Sequence, residues 1–115
     1  MVQIEFFKEK IELTLPIIRL TKSRNKTTGT ATFIFIRPNV FSFIKTSPIS
    51  LEQMSLVWGN NRIVTTDITI LFHKGRPFLL KSIFIFKNAQ EWFQFLNFMH
   101  YYSKETGLSF SENMD

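Results

Sequence analysis

Apolar and polar residues alternate along two runs, Ile17–Ser23 and Thr30–Ile36, that flank a turn rich in Thr, Lys and Asn. In the first run Ile18 and Leu20 alternate with Arg19, Thr21 and Ser23, the period of two that gives a strand one buried and one wet face. Asn25, Lys26, Thr27, Thr28 and Gly29 tolerate the backbone of a tight hairpin turn. Thr30–Ile36 is rich in β-branched and aromatic residues, and Pro38 withholds a ladder donor where that strand should stop. The pattern predicts an antiparallel hairpin.

Before it, Gln3–Lys8 and Ile11–Ile17 read as short strands, with Pro16 marking an edge or a bend. After it, Val40, Phe41, Phe43 and Ile44 lie between Pro38 and Pro48 in a stretch too apolar for solvent, which predicts a packed loop with a helical turn. Met54–Trp58 and Ile63–Thr66 flank Gly59, Asn60 and Asn61, a second hairpin. Its second arm is expected to run on to Phe72, with Val64, Ile68, Ile70 and Phe72 on one face and Thr65, Asp67 and Thr69 on the other. His73, Lys74 and Gly75 then turn the chain into Phe78–Lys87, with Lys81 and Lys87 on the wetter face.

Asn88 is placed to cap a helix, with Glu91 reaching back from its first turn. Trp92, Phe95, Leu96 and Met99 recur at helical spacing, and Gly107 supplies the stop. Phe93 and Phe98 fall to the flanks of that stripe, which leaves one of them a candidate exposed docking residue, with core packing as the plain alternative. Leu108–Phe110 is expected to add a short strand and Ser111–Asp115 a frayed tail. Strands followed by one C-terminal amphipathic helix predict an α+β fold of antiparallel sheets and hairpins, with residues 1–115 as a single domain.

Composition sharpens this picture at three points. The 14 phenylalanines give a chain of 115 residues an unusual supply of buriable area, although the AT-rich codons of Phe, Ile, Lys and Asn are an alternative cause. No cysteine is present, so disulfides, thiolate metal sites and cysteine nucleophiles are excluded. No apolar run reaches the length of a membrane span, and Glu5, Glu9 and Glu12 suit neither a secretory signal nor an acid-poor transit peptide, so the chain is expected to work where it is made or after trimming.

The net charge of +5 points to an acidic partner, whether nucleic acid, anionic lipid headgroups or an acidic protein face, while on charge alone solvated Lys and Arg on an ordinary surface is the leading explanation. Candidate chemistry is sparse. His73 and His100 stand alone, the carboxylates are scattered, and neither a nucleophile elbow nor a phosphate-binding glycine loop occurs. Asn25, Lys26 and Thr27 form a glycosylation sequon that is idle outside the secretory route. The notable surface is the first hairpin, where Arg19, Lys22, Arg24 and Lys26 concentrate positive charge and Thr21, Ser23, Thr28, Thr30 and Thr32 offer hydrogen bonds. These nine residues are the candidate partner-binding set; lysine and arginine protection of an edge strand explains the same charges.

The run Arg19-Leu20-Thr21-Lys22-Ser23-Arg24, followed by Thr27-Thr28-Gly29-Thr30-Ala31-Thr32-Phe33, resembles the signature of the photosystem II reaction-centre 13 kDa protein family. Gly75-Arg76-Pro77, then Glu91-Trp92, Phe95, Phe98-Met99, Tyr102 and Gly107-Leu108-Ser109-Phe110, resembles the second half of that family. Trp58–Arg62 departs from it, standing where the family tends to carry acidic residues, and the net charge is more basic than expected of a typical member. The resemblance implies a non-catalytic extrinsic assembly factor without cofactors and with no nucleic-acid partner. It implies transient binding to photosystem II core subunits, the inner antenna and reaction-centre proteins, on the stromal face of the thylakoid (the cytoplasmic face in cyanobacteria). Composition suits a plastid-encoded algal copy. The mode implied is β-augmentation, which requires the basic ribbon to keep its backbone available to a guest strand. The alternative is a pleckstrin-like module gripping anionic lipid headgroups through Lys22, Arg24 and Lys26, and a third reading stacks single-stranded nucleic acid on Phe33 or Phe35.

Overall fold

The computed structural model describes residues 2–7, 10–24, 28–44, 51–108 and 111–114. In chain order the elements are β1 (Val2–Phe7), β2 (Lys10–Glu12), β3 (Ile17–Lys22), β4 (Gly29–Ile36), α1 (Phe41–Ile44), β5 (Met54–Trp58), β6 (Asn61–Thr65), β7 (Ile68–His73), β8 (Arg76–Phe86), α2 (Ala89–Thr106) and β9 (Ser111–Met114). A four-stranded sheet has the order β2-β1-β5-β6, and a five-stranded sheet the order β7-β8-β4-β3-β9. Every pairing is antiparallel except that of β9 with β3. The fold is α+β with a C-terminal helix, as the pattern predicts.

Alternation in β3, β4 and β8 sends Ile18, Leu20, Ala31, Phe33, Phe35, Leu80, Phe84 and Phe86 to the inner face of the larger sheet. There they meet Ile4, Phe6, Met54, Leu56 and Trp58 from the smaller sheet and the apolar stripe of α2. Aromatic pairs join the layers: Phe6 to Phe35 with centroids 5.3 Å apart, Phe86 to Phe95 at 4.8 Å, and Trp58 to Phe98 at 5.6 Å. Each such pair adds about 0.5–1.5 kcal/mol beyond area burial. The Trp58 indole N–H also donates to Asn97 Oδ1 at 2.7 Å, so the helix is oriented as well as buried. Phe33 and Phe35 lie wholly in this core and offer nothing to a nucleic-acid base.

The caps of α2 form as predicted. Asn88 Oδ1 accepts from the Glu91 amide at 2.9 Å, Glu91 Oε1 accepts from the Lys87 amide at 2.8 Å, and Gly107 closes the helix at φ 75. Of the two flanking rings, Phe98 is buried and Phe93 exposed.

Four expectations change. β2 stops at Glu12, so Leu13–Pro16 is not strand. The arm drawn from Ile63 to Phe72 breaks at Thr66–Asp67, where the chain passes from one sheet to the other and the alternation resets. Val64 is therefore exposed and Thr65 buried, its hydroxyl donating to the Ile83 carbonyl. Ser111–Met114 pairs with β3 and is not frayed. Leu108 lies outside any strand, and Ser109 and Phe110 fall outside the described residues.

A buried carboxylate holds the loop after β4. Glu12 Oε2 accepts from the amides of Asn39 at 2.9 Å and Thr14 at 3.1 Å, and Oε1 accepts from Val40 at 2.9 Å. Asn39 completes the knot by accepting the Leu13 amide proton at 2.8 Å. Nearby, Tyr102 stacks on Phe98 at 5.3 Å, and its pKa is pushed up to about 12 by burial and then by the charge of Glu12.

Two outcomes are expected. Glu12→Gln puts an amide group against clustered N–H donors and should lower the unfolding free energy by about 2–3 kcal/mol, read as a lower urea midpoint at unchanged slope. A tyrosine whose folded pKa is raised stabilises fully below its ordinary value of 10.0 and loses that contribution as pH climbs through about 12. Alkaline unfolding titrations should therefore show Tyr102→Phe losing less stability than wild type across that interval.

Candidate partner-binding edge

The basic hairpin forms as predicted, and its register sets Arg19 opposite Thr32, Thr21 opposite Thr30 and Lys22 opposite Gly29. Pairing puts Arg19, Thr21, Thr30 and Thr32 on one face, the outward face of the larger sheet, as a two-by-two polar patch bordered on β8 by Ile83 and Ile85. Lys22 has the opposite parity. Its ammonium lies 5.9 Å from the centre of the Trp92 ring, a cation–π contact on the inner side. The turn is closed by Ser23 and Thr28: the Ser23 amide donates to the Thr28 carbonyl at 3.1 Å, and the hydroxyl of Ser23 is 3.3 Å from the same oxygen. Arg24 is exposed beside that turn, and Lys26 lies outside the described residues.

Seven of the nine candidates thus separate into roles. Arg19, Thr21, Thr30 and Thr32 make a surface, Ser23 and Thr28 build the turn, and Lys22 fastens the ribbon to the helix. A grip on lipid headgroups by Lys22, Arg24 and Lys26 acting together loses Lys22 to the Trp92 ring.

Sequence reasoning missed two features here. The first is Gly29. A Cβ at this position would fall 2.7 Å from the Thr21 carbonyl oxygen and 2.8 Å from Trp92 Cζ3, so the indole occupies the space a side chain would need. Gly29 reads in sequence as a turn residue, but its work is to admit Trp92.

The second is β9. The edge of β3 expected to be available is taken by it, with Ser111 beside Arg19, Glu112 beside Leu20, Asn113 beside Thr21 and Met114 beside Lys22. With β8 beyond β4, the ribbon has neighbours on both sides. This cover is short and parallel, and parallel pairing is the weaker ladder per residue.

Among the described residues no group of three His, Asp or Glu gathers to hold a metal. A cleft of about 480 Å³ between the β6–β7 corner and α2 brings Arg62, Asp67 and Glu91 to its walls. Arg62 there pairs with the buried Glu5 at 3.3 Å, which makes it a structural tie between β6 and β1. No helix among the described residues is long and apolar enough to cross a membrane.

A family model described as Psb28 protein matches residues 4–110. The chain is 38% identical over 113 residues to the photosystem II reaction center Psb28 protein of a Nostoc species, covering 98% of this chain and 100% of that one. It is 34% identical over 112 residues to the protein of that name from Guillardia theta, covering 97% of each chain. For the relative in Trieres chinensis the identity is 36% over 110 residues, covering 96% of each.

Replacement of Gly29 by Ala should cost about 1–3 kcal/mol through overpacking. The cost should shrink in a Trp92→Leu background, so a double-mutant cycle should return a coupling of at least about 0.5 kcal/mol.

Proposed function

Because the chain belongs to the Psb28 family, we propose that it is a non-catalytic assembly factor of photosystem II, held peripherally at the thylakoid membrane by protein partners. It binds the reaction-centre core beside the inner antenna on the stromal face, and acts by lending the edge of β3 to a segment of a core subunit. The names carried by its relatives supply the complex. The observation that carries the mode is the four-residue parallel cover on β3, directly beside the polar patch of Arg19, Thr21, Thr30 and Thr32.

A guest strand replaces β9 along Arg19–Lys22 and takes over its main-chain hydrogen bonds, while Arg19 and the threonines select its side chains. Net affinity is then the difference between two ladders. It stays modest, as a factor that must leave its client requires, and the net charge of +5 speeds encounter with acidic segments. Cover by β9 reduces apparent affinity by the fraction of molecules in which the edge is open.

If seating β9 is worth about 1–2 kcal/mol, the open fraction is about 3–15%. A variant lacking residues 111–115 should then capture photosystem II core subunits from solubilised thylakoids about 5–30 times more tightly than the full chain. Unchanged or weaker capture would sink the exchange mechanism. Recovery of no core subunit by either folded bait would sink the assembly role.

A further inference from the structure

The end of the larger sheet opposite the basic turn gathers apolar and cationic side chains that the core does not use. Register sets Leu71, Leu79 and Ile36 in one outward row across β7, β8 and β4, and the next row on the same face is Thr69, Lys81, Ile34 and Ile17. A register shift between Leu71 and Phe72 brings Phe72 out near the hairpin tip, where it is 64% exposed. Leu13, 79% exposed, joins this fringe beside Asn39.

Next to the fringe lies a cleft of about 700 Å³, walled by Phe41, Pro77 and Phe78 and rimmed by Arg37, His73, Lys74 and Arg76. Among the described residues no Asp or Glu lines it. Lys74 and Gly75 both take positive φ, 52 and 77, as a two-residue hairpin turn requires, and this turn holds the cations at the tip. Arg37 also has a left-handed backbone, φ 50. Its amide donates to the Phe78 carbonyl at 2.9 Å, and its guanidinium carbon lies 5.4 Å from the centre of the Phe78 ring. Such a conformation in a non-glycine residue costs about 1 kcal/mol and persists only where its surroundings hold it, here at the mouth of the cleft.

We propose that this end is a bilayer-contact surface, with Phe72, Leu71 and Leu13 entering the boundary between headgroups and acyl chains while Arg37, Lys74 and Arg76 engage the phosphates of anionic lipids. The cleft has room for one headgroup. Lipid is favoured over a folded partner by the chemistry of the fringe. Its apolar side chains come from five separate segments, and the charge among and beside them, Lys81 included, has one sign. Long cationic stems suit this boundary because the methylenes sit with lipid while the heads stay with phosphate. This inference is independent of strand lending at β3.

Vesicle sedimentation tests it, using phosphatidylcholine vesicles with increasing phosphatidylglycerol. The bound fraction should rise with phosphatidylglycerol, and the partition constant should fall about fivefold for each of Lys74→Gln and Arg76→Gln. Phe72→Ser, at an exposed position, should weaken binding at fixed phosphatidylglycerol. Absence of binding to phosphatidylglycerol-rich vesicles at low salt overturns the proposal. So does binding that survives these three substitutions and is lost with Arg19→Gln and Arg24→Gln. If Phe72→Ser weakens capture of detergent-solubilised core complexes while vesicles bind neither form, the surface belongs to a protein partner and the proposal fails. Capture of core subunits is read separately, so either result leaves the assembly role to its own test.

Discussion

Helix α2 reaches the larger sheet because residue 29 has no side chain. The Trp92 indole fills the space above the Gly29 backbone and meets Phe86 and Phe95 beyond it, while the Lys22 ammonium closes on the ring. That contact sets the start of the helix, and the stripe of Phe95, Phe98, Met99 and Tyr102 follows from it by helical geometry. The smaller sheet then seats against the same helix through the Trp58–Phe98 ring pair and the hydrogen bond to Asn97. Both sheets are therefore positioned by one helix whose first turn is anchored on the basic hairpin.

Local pattern reveals an element when its neighbours in sequence are also its neighbours in space. The β3–β4 hairpin and α2 satisfy this condition: alternation, turn residues and caps all lie within a few residues of what they organise. The segment from Ile63 to Phe72 does not. Its even positions are mainly apolar, yet Thr65 is buried, with its hydroxyl bonded to Ile83 on the other sheet, and tertiary context resets the parity. Glu12 likewise reads as one more acidic residue near the start of the chain, whereas its partners Asn39 and Val40 lie 27 and 28 positions away. The candidate set was legible as a ribbon; the contact of Lys22 with Trp92 and the pairing of β9 with β3 join residues far apart in sequence and were not.

The two ends of the larger sheet differ in character along the strand direction. At the β3–β4 turn the outward face is polar and hydrogen-bonding, with Arg19 and three threonines in register. Toward the β7–β8 turn the same face gains an aliphatic row of Leu71, Leu79 and Ile36, with Lys81 in the row behind it and further cations at the rim. Under the two proposals above, the polar end would meet polypeptide and the other end lipid.

The parallel pairing of β9 with β3 also has a consequence in time. Parallel neighbours cannot be joined by a tight turn, and here β4, β8 and α2 all intervene between the two strands. On the ribosome, β3 and β4 can zip together while the residues of β9 have yet to be translated. The edge of β3 is thus uncovered until β9 arrives to pair with it. Under the proposed exchange at β3, the interval in which that edge is open to a guest would coincide with synthesis of the chain itself.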